Sequence, residues 1–161
     1  MAREGPYGFE LEMYVFVDFS VVCSDLSIEE ISETLELTPT EIVRKGDVLC
    51  EYKSKPFRSD TNLWRFSSEG KVRSNNLYNH TEWMVNQLFG KTPSFNRLKS
   101  KDAHLDLRLH IYSSEDTAFG FLTIETIKLL AQLDIEFSFD VSFVDFNHRI
   151  EDEEDDLVVS R

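Results

Sequence analysis

Three stretches of this chain alternate apolar and polar residues with almost no fault. In Glu12–Cys23, "EMYVFVDFSVVC", Met13, Val15, Val17, Phe19 and Val21 share one side, and Tyr14, Phe16, Asp18 and Ser20 the other. In "HLDLRLHIY", Leu105, Leu107, Leu109 and Ile111 oppose His104, Asp106, Arg108 and His110. In "IEFSFDVSFV", Ile135, Phe137, Phe139, Val141 and Phe143 oppose Glu136, Ser138 and Asp140. A period of two over this length, rich in β-branched and aromatic residues, predicts strands with one buried face.

Between them the period changes to that of helices. "LSIEEISETLEL" carries Ser27 with Glu30 three residues on, a capping box, and Leu26 placed to staple onto Ile31. Ile28, Ile31 and Leu35 form its inward stripe, and Pro39 stops it after Leu37. "LYNHTEWMVNQLFG" predicts a second helix, with Asn79 as cap, Glu82 completing a box, Tyr78 stapling onto Trp83 and Gly90 as terminator. "TPSFNRLKSK" follows as a further helical piece with Pro93 in its first turn. "LTIETIKLLAQL" predicts another helix, capped by Thr123, with Leu122 against Ile127.

The region from Thr38 to Asn62 is less regular. It holds a short edge strand at "VLCEYK" and a basic loop marked by Arg44, Lys45, Lys53, Lys55 and Arg58. "NLWRFSSEG" predicts a strand closed by Gly70, with Trp64 and Phe66 inward and Arg65 outward.

"YVFVDFSVVCSDLSIEEISETL" and "HLDLRLHIYSSEDTAFGFLTIETIKLL" repeat one plan: strand, Ser-and-acid turn, capped helix. Two βαβ-like units plus an extra helical region predict an α+β, ferredoxin-like α/β sandwich, a mainly antiparallel sheet with helices on one face. The Phe side of Ile135–Val144 then lies under the helices. The other sheet face stays open, and Asp18, Asp106, Arg108, His110, Glu136 and Asp140 share it as an exposed, mostly acidic surface. The domain is expected over residues 12–146, with a loose arm at 1–11 and a like-charged, disordered tail at 147–161 around "EDEEDD".

The bulk composition sharpens the functional classes. With 161 residues, one domain is expected, and 13 Phe with 41% hydrophobic residues supply a core. Thirty acids against 17 Lys and Arg give a net charge of -13, which repels nucleic acid and favours a basic partner. Cys23 and Cys50 form no metal or redox motif and are read as free thiols. "MAREGPYGFELE" is no signal peptide and no stretch reaches the ~20 apolar residues of a membrane helix, so a cytoplasmic chain without membrane contact is expected.

No nucleophile elbow, P-loop, dinucleotide fingerprint or zinc-protease motif is present, and no reaction is expected. His104, Asp106 and His110 are ligand types that suit zinc. On one strand the two histidines stand about 20 Å apart, too far for one ion, so no metal or other cofactor is expected. If the repeat aligns the turns "SDLS" and "SSED", Asp25, Glu115 and Asp116 form an acidic rim for a cation or a basic side chain, although turn chemistry alone accounts for such residues. The leading expectation is a protein-binding module that meets a basic partner through the open face and acidic turns. The alternative is a small-molecule- or cation-binding domain.

Several of these features together resemble a known family. "LTPTEIVRKGD" (Leu37–Asp47), Trp64 in the following strand, the acidic turn "YSSED" (Tyr112–Asp116) and the closing strand are similar to the bacterial domain-of-unknown-function family 4279, over about residues 14 to 145. The resemblance carries no reaction or catalytic residues to transfer. Small acidic proteins of this kind include immunity proteins, and by that analogy the basic partner is a toxin to be neutralised.

Overall fold

The computed structural model describes residues 13–52, 54–113 and 122–143. In chain order the elements are β1 (Met13–Cys23), α1 (Ile28–Leu35), β2 (Glu41–Val43), β3 (Val48–Tyr52), β4 (Lys55–Arg58) and β5 (Asn62–Ser67). They continue with α2 (Leu77–Leu88), α3 (Thr92–Lys99), β6 (His104–Ser113), α4 (Ile124–Leu133) and β7 (Glu136–Phe143). The arm at 1–11 and the tail at 147–161 lie outside the described residues.

Strand β1 organises the sheet. It pairs antiparallel with β5 on one edge and with β6 on the other. β2 pairs antiparallel outside β5, and β7 pairs parallel outside β6, giving the order β2-β5-β1-β6-β7. The chain is therefore a mixed α/β fold with a mainly antiparallel sheet. β1 and β2 run in the same direction with β5 between them, and β5 and β6 do so with β1 between them. Two strand–helix–strand crossovers thus interlock. The helical region α2–α3, which the repeat left as an addition, forms the second crossover, and α4 with β7 is appended beyond it.

The helices cover one face. Val15, Val17, Phe19 and Val21 meet Trp64, Leu107 and Leu109 from the neighbouring strands and Ile31, Leu35, Met84, Leu88 and Phe95 from the helices, all buried. Phe19 lies edge-on to Trp64 and tilted against Phe95. Trp64 Nε1–H donates to Ser32 Oγ at 2.9 Å, so its polar edge is satisfied inside the core.

Local chemistry sets the helix ends. Ser27 Oγ accepts from the Glu30 N–H and the Glu30 carboxylate accepts from the Ser27 N–H, the anticipated box. Thr123 caps α4 as anticipated, while Ile127 stays 48% exposed. The cap of α2 differs from expectation: Asn76, not Asn79, accepts from the Tyr78 N–H. Asn79 lies inside the helix and donates to Ser74 Oγ, and the Glu82 carboxylate takes the Tyr78 hydroxyl. Two asparagines three residues apart offered rival starts, and the chain takes the earlier one.

The basic loop is ordered differently from expectation. "VLCEY" forms β3, which pairs with β4 in a separate two-stranded hairpin rather than at the sheet edge. The sheet edge beside β5 is β2, from within "LTPTEIVRKGD". The Phe side of β7 also departs from expectation. It faces the helix layer, since Phe137, Phe139 and Val141 pair in register with Leu107, Leu109 and Ile111. Yet Phe137, Phe139, Val141 and Phe143 are all about half exposed, because β7 is the edge strand.

A buried polar relay locks α2 to β1. Ser68 Oγ accepts from the Val17 N–H at 2.8 Å and donates to His80 Nδ1 at 2.8 Å. His80 Nε2–H donates to the Ser74 carbonyl at 2.8 Å, which fixes the neutral tautomer. Burial holds the His80 imidazole below its ordinary value of 6.5, against the opposing pull of the Ser74 carbonyl. A depressed folded-state value means the unfolded chain binds the extra proton first. Stability from this site is complete above about pH 6.5 and is lost as pH falls below it, at up to about 1.4 kcal/mol per pH unit. Urea titrations from pH 7.5 to pH 5.5 are expected to show this loss in the native chain and a flatter profile in His80→Gln.

Candidate functional site

The face opposite the helices carries the even-numbered residues of β1 and β6 and the matching positions of β5, β2 and β7. Their side chains form a graded surface. At one end Tyr14, Phe16, His110 and Tyr112 pack ring against ring. Phe16 stacks on His110 at 4.4 Å with planes 14° apart, and on Tyr112 at 5.9 Å. The register causes this, since Phe16 sits directly opposite His110, and Tyr14 opposite Tyr112.

Beside this aromatic shelf lies a buried polar cluster. His110 Nε2 is 3.4 Å from Asp18 Oδ2, and His110 Nδ1 is 3.2 Å from Asp140 Oδ2. Arg65 Nε lies 3.6 Å from Asp18 Oδ2, while Arg65 Nη1 donates to Glu41 Oε2 at 2.6 Å. Asp18 is only 4% exposed, yet its Oδ1 has no hydrogen-bond partner among the described residues, nor have Arg65 Nε and His110 Nδ1. Charged and polar atoms close together but imperfectly bonded store a desolvation cost that a suitable ligand relieves. A cleft of about 400 Å³ opens here, walled by Phe16, Tyr112, His110, Arg65, Glu41 and Glu69, with Asp18 in its lining. Glu69 is held by the Tyr14 hydroxyl at 2.5 Å.

A second polar group lies further along β6. Asp106 accepts from Arg108 Nη2 at 2.9 Å and from Ser138 Oγ at 3.1 Å. Its carboxylate is fully engaged, in contrast with that of Asp18.

The nine residues singled out from the sequence separate clearly. Asp18, Asp106 and His110 are buried rather than exposed, because aromatic and guanidinium neighbours on the same face fold over them. Arg108 and Glu136 are exposed and Asp140 is partly so. Asp18, His110 and Asp140 come together; Asp106 and Arg108 form the separate pair. Asp25 is exposed. It follows the Cys23 end of β1, whereas "SSED" follows the Ser113 end of β6, which lies opposite Met13. Because β1 and β6 are antiparallel, Cys23 and Ser113 lie at opposite ends of the sheet. Glu115 and Asp116 lie outside the described residues. His104 is exposed at the far end of β6 from His110, and no group of metal-ligating residues suited to an ion occurs among the described residues. Glu41, Glu69, Arg65, Phe16 and Tyr112 were not anticipated as site residues. The outward position of Arg65 and the Phe16/Asp18 alternation were the available signals.

Fold and site together define an α/β protein with one helix-covered face and one open face bearing an aromatic and acidic cleft. The chain belongs to the family described as Domain of unknown function (DUF4279), which matches residues 12–144. No curated protein and no solved structure matches it. No helix among the described residues is long and apolar enough to cross a membrane.

The two arginine–aspartate pairs are expected to differ in weight. Arg65→Ala removes the guanidinium beside a sealed carboxylate and should cost about 3 kcal/mol. Arg108→Ala leaves Asp106 bonded to Ser138 from the half-exposed side and should cost about 1 kcal/mol or less. Urea denaturation of both variants at pH 7 checks the order.

Proposed function

We propose that this chain is a binding module that receives a cationic group of a basic protein partner in the cleft on its open sheet face. The observation that carries the reading is Asp18, a buried carboxylate with an unbonded oxygen beneath aromatic walls. A lysine or arginine side chain supplies what is missing. Its N–H groups answer Glu41 and Glu69 and, once the Arg65 guanidinium swings aside, the sealed Asp18 oxygen, and its charge lies against the faces of Phe16 and Tyr112. The net charge of -13 speeds encounter with such a partner. A toxin with a cationic active site is one partner of this chemistry, and an immunity protein or inhibitor would neutralise it by covering that site. No reaction is assigned to the chain. The interlocked crossovers β1-α1-β2 and β5-α2-α3-β6 fit a ferredoxin-like plan extended by α4 and β7, a layout that leaves this sheet face free for the partner.

The size of the cleft favours a second reading, in which the occupant is a free small cationic molecule, since about 400 Å³ is within the range of ligand pockets.

Calorimetric titration with a lysine- and arginine-rich peptide at low salt tests the proposal. Binding is expected, weakening as salt screens the charges. Asp18→Asn, nearly isosteric, should leave the fold intact and weaken binding about tenfold or more. Absence of binding at low salt, or full affinity in Asp18→Asn, overturns it. Free arginine binding as tightly as the peptide transfers the cleft to the small-molecule reading.

A further inference from the structure

The appended strand β7 is unlike the other strands of the sheet. Its inner edge pairs with β6, and among the described residues nothing pairs with its outer edge. Its helix-side row, Phe137, Phe139, Val141 and Phe143, is 45–58% exposed. In the same layer α4 exposes Ile124 at 67% and Ile127 at 48%. An open strand edge beside a row of exposed phenylalanines invites further pairing, and natural sheets normally block such edges with charge, proline or a bulge. β7 holds no proline or lysine, and its two acids, Glu136 and Asp140, lie on the open face away from the phenylalanine row.

We propose that β7 pairs antiparallel with β7 of a second copy about a twofold axis through Phe139, joining two sheets into one. The side chains select this register. Centred on Phe139, the helix-side pairs are Phe139 with Phe139, Phe137 with Val141 and Ile135 with Phe143. The open-face pairs are Ser138 with Asp140 and Glu136 with Ser142. Every acid faces a serine. Moving the centre to Ser138 sets Glu136 against Asp140, and moving it to Asp140 sets that carboxylate against its own copy, both repulsive. The area is sufficient. The four β7 side chains and two isoleucines of each copy remove roughly 1,000 Å² in total, the lower bound for a specific interface. A closed, isologous contact also ends association at two copies.

This inference stands apart from the cationic cleft and responds oppositely to salt. Two chains of net charge -13 repel, so screening strengthens self-association while it weakens a cationic ligand. Sedimentation equilibrium of the full chain at about 0.05 M and about 0.5 M salt is the test. A monomer–dimer equilibrium that tightens with salt is expected. Phe139→Lys, placing two ammonium groups at the axis, should abolish the dimer. Ser142→Lys, opposite Glu136, should tighten it about fivefold, and Ser142→Glu should loosen it by a similar factor. The Ser142 pair keeps the test open if Phe139→Lys fails to fold. A monomer at all concentrations, a dimer that survives Phe139→Lys, or one indifferent to both Ser142 changes overturns the proposal.

Discussion

Everything in this molecule depends on β1 being paired along both edges while it buries two different kinds of side chain on its two faces. On the helix side it contributes Val15, Val17, Phe19 and Val21 to a continuous apolar core. On the other it places Phe16 against His110 and sinks Asp18 beneath them. Apolar burial stabilises the first face by about 25 cal/mol for each Å² removed from water. Among the described residues no helix lies above the second face, so its burial comes from neighbours in the sheet. Tight cross-strand pairing brings large side chains from three strands close enough to seal a carboxylate.

That difference gives the open face its character. A flat acidic surface would offer only long-range attraction, screened within about 10 Å at ordinary salt. Sealing Asp18 among Phe16, Arg65 and His110 converts part of the charge into a local demand for donors. The contrast with Asp106 is instructive. Both are aspartates on the same face near an arginine, but Asp106 has Arg108 and Ser138 in bonding geometry, and Asp18 has an oxygen left over. A satisfied carboxylate holds the structure together. An unsatisfied one under aromatic walls is costly, and the proposed cationic occupant is what would offset that cost.

Much of the fold was legible in the residues. The alternation of β1, β6 and β7, the capping box at Ser27 and the Thr123 cap are local properties, and they formed as the pattern dictates. Trp64 and Phe66 turned inward and Arg65 outward for the same reason. Where local signals competed, the sequence misled: Asn79 offered a cap as good as Asn76. The internal repeat misled for a different reason. It describes a pattern of strand and helix but says nothing of direction, and antiparallel pairing of β1 with β6 sets Cys23 and Ser113 at opposite ends of the sheet. The sequence reading reached Asp18, His110 and Asp140 through periodicity. Glu41 and Arg65 come from other strands and Glu69 from the turn after β5, brought to the cleft by pairings that no local pattern encodes.

The sequence alone determined which residues share a face, because side chains of a strand alternate whatever the strand pairs with. It also determined where helices begin, because a cap is made within a few residues. Only the tertiary structure decided which strands became neighbours, that α2 and α3 supply a crossover, and that β7 stands at an edge with its phenylalanines uncovered. Burial of Asp18 and His110 was likewise decided there. Exposure belongs to the set of neighbours, and those neighbours come from strands more than a hundred residues apart along the chain, a separation over which the cost of loop closure grows only slowly and local chemistry carries no information.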